Sequence, residues 1–325
     1  MENAAYYAVS CLPRSSTPAR SMMLLRFLYP ACALLATAHA EQKPPCFLPV
    51  KGAEKLHPSP IVEASGLAIS SVNPSFMWLV NDSGGAPDIY LTHTDGTYRG
   101  KVTVKGTTNI DWEDLASFSL DGKNYLLVAD TGDNSSRRDS CTLYILREPT
   151  IPEPAKNLAT TVIPAWQIQF RYEDGPRDCE AVGVDAKAGK IILISKRTHP
   201  PQIYELPLHP SKKHSIQTAR KIGQMTVNCP ILSLIPFRDQ PVGLAINADH
   251  SLAAVVTYYS IFLFPRQPTE SWAVALSHPP TILPPHSLGQ AESVAFSKDG
   301  KTLYTVAEGN ESLIKRYEKK PVLSN

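Results

Sequence analysis

The feature that most constrains this 325-residue sequence is that it repeats itself. Short apolar segments, aligned on a small residue that follows a hydrophobic one, recur five times. They read SGLAIS from Ser65, EDLASF from Glu113, EAVGVD from Glu180, VGLAIN from Val242 and ESVAFS from Glu292. A polar turn follows each, then a second segment (FMWLV, YLLVA, IILIS, AAVVT, TLYTV) and a third (DIYLT, TLYIL, QIYEL, IFLF, SLIKRY). Short runs rich in Val, Ile, Leu and Tyr between turn formers are the signature of strands. Fourth strands are expected within KVTVKG from Lys101, TTVIPAWQIQF from Thr160, ARKIGQM from Ala219 and WAVAL from Trp272. The 29 prolines argue against long helices, because an interior proline removes a backbone donor and clashes with the preceding turn.

The repeat starts at 65, 113, 180, 242 and 292 are 48, 67, 62 and 50 residues apart, the length of a four-stranded propeller blade with some enlarged loops. The expected fold is therefore all-β, a β-propeller with five blades favoured. Six is the alternative, if the longer intervals hide a degenerate blade. The fifth unit runs out of chain soon after Tyr317, so CFLPVKG from Cys46 is expected to supply the missing strand and close the ring. A β-sandwich would not require one three-strand order to recur five times.

Residues 22–40, MMLLRFLYPACALLATAHA, carry one arginine, an apolar run from Phe27 and the small-x-small ending Ala38-His39-Ala40, as a secretory signal does. A membrane-spanning helix needs about 20 apolar residues, and this run is shorter. Residues 1–21 are more polar than a usual leader, which makes Met22 or Met23 the expected start of translation. A lipid anchor on Cys32 is the competing reading, opposed by the poor lead-in Tyr29-Pro30-Ala31. The expectation is a signal peptide over 1–40 and a single domain over 41–325, periplasmic or secreted.

Loss of residues 1–40 removes Arg14, Arg20 and Arg26 from 32 basic residues and Glu2 from 30 acidic ones, leaving 29 of each. A neutral chain gives no reason to expect nucleic acid as a partner. Cys46, Cys141, Cys179 and Cys229 remain, and an oxidising compartment permits two disulfides among them. A Cys179–Cys229 pair is favoured, with buried free thiols as the alternative.

Propeller geometry places the starts of the first strands and the ends of the second strands on one face. That face collects Glu63, Asp111, Glu113, Asp114, Asp178, Glu180 and Glu292, and after the second strands Asp82, the segment Asp130-Thr131-Gly132-Asp133-Asn134, Lys196, Arg197 and Glu308. Two carboxylates about 6 Å apart repel by roughly 3 kcal/mol at an effective dielectric near 20. Relief comes from Lys196 and Arg197, from protonation, or from a hard cation such as calcium, which favours carboxylate and carbonyl oxygens. The expected roles are catalytic for Glu113, Glu180, Lys196 and Arg197, metal-binding for Asp82, Asp130, Asp133 and Glu292, and ligand-binding for Glu63, Trp112, Asp178 and Glu308. Trp112, set among Asp111, Glu113 and Asp114, offers a ring to stack on a flat ligand. The competing structural reading is that such side chains bond local amides or tie one unit to the next. No GxSxG elbow surrounds Ser83, and no HExxH pattern occurs.

The motifs EASGLAIS from Glu63, NDSG from Asn81, NIDWEDLA from Asn109, DTGDN from Asp130, DCEAVGVD from Asp178 and AESVAFS from Ala291 resemble a family of exported bacterial propellers, most without an assigned activity. More distantly, the chain is similar to propellers called phytase-like or esterase-like. The resemblance spans nearly all of residues 41–325. The phytase-like similarity implies Glu113, Asp130, Asp133 and Glu180 as calcium ligands, with Lys196 and Arg197 meeting phosphate. The fourth copy departs from the pattern, with Val242 in the glutamate slot and Thr257-Tyr258-Tyr259 in place of the polar loop, so a symmetrical metal cage is not implied. The expected function is a ligand or cation site at the acidic mouth, serving a metal-dependent phosphate or carboxylic ester hydrolase. The alternative is a noncatalytic binding or assembly module of the cell envelope.

Overall fold

Short strands recur along the described chain, joined by tight turns and by longer connections such as 131–140, 148–157 and 266–280. The structure is a computed structural model, and it describes residues 46–56, 60–210, 215–227, 238–309 and 312–321. The expected leader and Cys229 lie outside those residues. The secondary structure is all-β apart from one short helical turn. Among the described residues no helix is long and apolar enough to cross a membrane.

Each of the five repeat starts is the first strand of an antiparallel unit: β3 (Ala64–Ile69), β7 (Trp112–Leu120), β12 (Cys179–Asp185), β16 (Gly243–Ile246) and β20 (Ala291–Phe296). The second strands are β4 (Phe76–Asn81), β8 (Lys123–Asp130), β13 (Lys190–Ser195), β17 (Leu252–Val256) and β21 (Thr302–Ala307). The third strands are β5 (Asp88–His93), β9 (Cys141–Arg147), β14 (Gln202–Pro207), β18 (Ile261–Pro265) and β22 (Leu313–Lys319). Within every unit, first, second and third strands pair antiparallel in that order.

The first strands pack side by side in a cycle: β3 on β7, β7 on β12, β12 on β16, β16 on β20, and β20 back on β3. Close packing requires small residues. A Cβ at Gly66 would stand 2.7 Å from the backbone nitrogen of Leu115, so only glycine lets β3 approach β7 there. One apolar core fills each contact between neighbouring units. Trp78 and Val80 meet Leu115 and Val128, for example, and Ile192 and Ile194 meet Val255 and Phe262. β3, β4, β12, β13 and β17 are buried on both faces along nearly their whole length, which explains their near-continuous apolar runs.

The outer strands differ from unit to unit. β6 (Tyr98–Val104) and β15 (Gln217–Gln224) form where expected, but Thr160 to Phe170 is split at Pro164 into β10 (Leu158–Val162) and β11 (Trp166–Tyr172). β10 pairs parallel with β6 of the first unit, whereas β11 completes the second unit beside β9. β11 also meets β15 in parallel, which joins the second and third units into an eight-stranded sheet. Its end strands β7 and β12 pack on each other, so that sheet is nearly closed.

WAVAL is not a strand. Trp272–Ala275 forms the helical turn α1, capped by Ser271, whose side chain accepts from the Val274 N–H. The Trp272 indole donates to Asp185 at 2.9 Å, fixing that turn to the third unit. The fourth strand of this unit is instead β19 (Thr281–Ile282). In the fifth unit, the N-terminal segment supplies the outer strand: β1 (Phe47–Pro49) pairs antiparallel with β22, Phe47 opposite Lys319. A second short strand, β2 (Glu54–Lys55), also pairs with β22.

Candidate functional site

A recurring irregularity aims the acidic side chains. Register slips at the start of four first strands, between Ala64 and Gly66, Trp112 and Asp114, Cys179 and Ala181, and Ala291 and Ser293. The extra residues are Ser65, Glu113, Glu180 and Glu292. A β-bulge inserts one unpaired residue and redirects its side chain. The glutamate slot seen in the sequence is thus the bulge position.

Glu113 and its neighbours form two overlapping acidic groups. Asp82, Asp111 and Glu113 each offer an oxygen within 4.8 Å of one another, and Glu113, Asp178 and Glu180 do the same. Glu113 is 4% exposed. Burial, then the charges of Glu180, Asp82, Asp111 and Asp178, push its carboxyl well above the usual range. Asp111, half-buried and hydrogen-bonded to Asp82, is raised to about 7, first by burial and then by Asp82. Gly132 makes room for this crowding, since a Cβ there would collide with the Glu113 and Asp111 carboxylates.

Cations flank the group on one side. Lys196, 5% exposed, is paired with Glu180 and donates to the Tyr258 hydroxyl at 2.9 Å. Burial lowers its pKa, but Glu180 and Tyr258 outweigh burial and the net shift is upward. Burial raises Glu180 to about 7 in spite of Lys196. Tyr258 donates in turn to Glu292 at 2.9 Å, and Glu292 shares a hydrogen bond with Glu308. Burial and then Glu308 lift Glu292 to about 9. The arc ends at Gln290, which donates to Glu308 at 3.0 Å. Arg197 pairs with Asp178 at 2.7 Å and also reaches Asn134.

The loop after β8 is held by a different set of bonds. Asp130 is paired with Arg138 at 2.8 Å and accepts from the Asp111 N–H at 3.2 Å, while its Oδ2 has no hydrogen-bond partner. Burial raises its pKa, with Arg138 opposing. Asp133 spends both oxygens on the backbone N–H groups of Arg137 and Arg138, at 2.9 and 2.8 Å, and its own N–H donates to Asp178 at 2.9 Å. It shapes the loop.

Of the residues singled out in the sequence, Asp82, Glu113, Asp178, Glu180, Lys196, Arg197, Glu292 and Glu308 lie along one arc, with Asp130 behind it. Glu63 is exposed, and its backbone carbonyl accepts from the Asp82 N–H at 2.9 Å. Trp112 is corrected. It is 0% exposed and packed in the core between the first and second units, so it has no face to stack on a ligand. At the bulge the adjacent Glu113 faces the other carboxylates and the indole packs in the core. Cys179 is a buried free thiol, as is Cys141, and Cys46 is free and exposed; the expected partner Cys229 lies outside the described residues.

Asp114 behaves unlike its neighbour Glu113. It is fully buried and accepts from the N–H groups of Leu115 at 2.8 Å, Val182 at 2.8 Å and Leu244 at 3.0 Å, stapling three first strands. Sequence reasoning missed Asn109, whose amide donates to the carbonyls of Asn81 and Asp82 while its oxygen accepts from the Trp112 N–H. It also missed Arg138 and the role of Tyr258. Asn109 sits in the NIDWED run, where an Asx residue three positions before a strand was a usable turn signal. Arg138 and Tyr258 gave no such signal.

No family model matches this sequence, and no curated protein matches it.

Proposed function

We propose that the chain is a five-bladed β-propeller that binds a divalent cation, calcium by the chemistry of its donors, at the acidic end of its inner strands. The cyclic packing of five first strands, with one apolar core per contact, supports the blade count. A single observation carries the cation reading. Glu113 is almost completely buried, its charged neighbours are carboxylates, and no lysine or arginine pairs with it among the described residues. Such a group is stable only protonated or beside a cation. All-oxygen donors suit a hard ion, and glycine at position 132 leaves the crowded space open.

Asp82, Asp111, Glu113, Asp178 and Glu180 would hold the ion, which supplies positive charge able to polarise a phosphoryl or carbonyl oxygen. On the hydrolase reading, Lys196 and Arg197 flank an anionic substrate and the Glu292–Glu308 pair is an acid near it. Against that, both cations are already paired, Lys196 with Glu180 and Arg197 with Asp178. This pairing favours a second reading, a noncatalytic, cation-stabilised binding or assembly module of the cell envelope. Both readings place the protein outside the cytoplasm, as the leader-like residues 22–40 suggest, and accord with the resemblance to exported propellers.

Thermal unfolding of the purified protein with calcium and with a chelator tests the cation. At a hundredfold excess over Kd, calcium adds about 2.7 kcal/mol of stability. Glu113→Gln should abolish that gain. Hydrolysis of phosphate monoesters and carboxylic esters, lost in Glu113→Gln, separates the enzyme from the binding module. Identical melting with calcium and with chelator would remove the cation reading.

A further inference from the structure

The other ends of the same five strands enclose a cavity of about 160 Å³. Leu67, Leu115, Leu244 and Val294 back it but are committed to the cores between units. The apolar surface it offers therefore comes from the half-buried Ala116, Ala186, Ala245 and Ile246, beside Ser71, Ser117 and the exposed Lys298. Every unit contributes to the wall. An engineered apolar cavity of about 150 Å³ in another protein admits benzene, so this space has the size of one ring.

The chemistry of the lining is opposite to that of the acidic end. No carboxylate lines the cavity among the described residues, and its titratable side chains are His250 and Lys298. Lys298 is exposed but not loose, since its ammonium donates to the Ser71 carbonyl at 3.0 Å. That bond uses one of its three donors and keeps the charge at the opening. The His250 Nδ1 atom is buried without a hydrogen-bond partner, 3.4 Å from Asp185 Oδ1. Burial keeps this imidazole below its usual pKa, so it is neutral near pH 7. The Asp114 staple runs through the amides of Leu115 and Leu244, which back the cavity, and none of Glu113, Asp114, Glu180 and Glu292 lines it.

From this lining of small apolar and serine residues with one cationic group at the opening, we infer that the cavity is a second binding site, taking a small monocyclic or short-chain carboxylate with its body on Ala116, Ala245 and Ile246 and its anion at Lys298. The inference does not depend on calcium at the opposite end.

Benzoate is the probe, with benzylamine as the same ring carrying the opposite charge. Saturation-transfer NMR and the shift of the His250 ring resonances read binding to the wild-type protein, in calcium and in chelator alike. Benzoate is expected to perturb His250 and to bind about tenfold more tightly than benzylamine, a difference of about 1.4 kcal/mol. Lys298→Ala should weaken benzoate about threefold, as an exposed charge pair does. Ala245→Phe, which fills the cavity, should abolish binding, and Ala116→Leu serves if that variant melts abnormally. Benzylamine binding as well as benzoate, benzoate binding undiminished by Lys298→Ala or by the filled cavity, or an unmoved His250 at saturating probe would each overturn the proposal. Sensitivity of benzoate binding to chelator would overturn its independence from the acidic end.

Discussion

The two ends of the inner strands are made by the same five segments, yet one gathers carboxylates that face one another, while at the other Asp185, Asp249 and Asp299 are each bonded by nearby donors. At the starting end, bulges at Glu113, Glu180 and Glu292 turn long acidic side chains out of the ladder, and Asp82, Asp111, Asp178 and Glu308 arrive from neighbouring loops. At the finishing end the strands close in ordinary turns. There Ser297 bonds Asp299, and Asn247 accepts from Ser251 and Leu252, so the polar groups are spent locally. Repetition alone therefore does not make a site. A site arises where an irregularity recurs and its side chains cannot satisfy one another.

Asp114 lies between the two ends and gives the strongest test of this contrast. Asp114→Ala leaves the buried amides of Leu115, Val182 and Leu244 without their acceptor, at about 1–3 kcal/mol each. The expected loss for the three amides is about 3–9 kcal/mol in urea unfolding, with or without calcium. A loss under 1 kcal/mol would mean that the staple does not hold the strands. Next comes Lys196→Met. Removing one partner of a buried pair costs about 3 kcal/mol, because Glu180 stays buried and uncompensated. Lowering the pH toward 5 should return much of that loss, as Glu180 takes up a proton.

The third expectation concerns pH. Asp111 and Glu180 are raised to about 7 and Glu292 to about 9, so between pH 4 and those values the folded chain binds protons that the unfolded chain has released. Stability from these groups is complete below pH 4 and is lost as pH rises toward 9. In chelator the melting temperature should drift downward from pH 5 to 9, and calcium should flatten the drift. A metal-free protein that gains stability over this range would contradict the crowding of charges at this end. Glu113→Gln should accordingly raise metal-free stability by about 1 kcal/mol or more at pH 8, by removing a carboxyl that the unfolded chain ionises freely and the folded chain must keep protonated or buried among other carboxyls. At the finishing end the smallest effect is expected: Lys298→Ala should change stability by less than about 0.5 kcal/mol.

Much of the fold was legible. Strand periodicity and turn residues located all five first, second and third strands, and the spare segment from Cys46 became the strand beside β22. The failures were local. Pro164 cut one long expected strand in two, and Ser271 capped a helical turn where WAVAL looked extended, because an apolar run of five carries no period that separates strand from turn. The site was legible as a list of acids but not as a set of roles. In EDLASF, Glu113 and Asp114 are equivalent by composition. Only the bulge sends one toward other carboxylates and the other to three backbone amides. Tyr258 looked like a break in the pattern, yet its hydroxyl joins Lys196 to Glu292 across the unit that lacks a glutamate.

The sequence by itself determined the strands, their order and the five-fold recurrence, because alternating burial and turn chemistry are local properties of short segments. Tertiary structure alone decided which carboxylates face one another, which face amides, and that Trp112 is core. Those outcomes depend on register and on contacts between units more than forty residues apart, and a one-residue bulge reverses them.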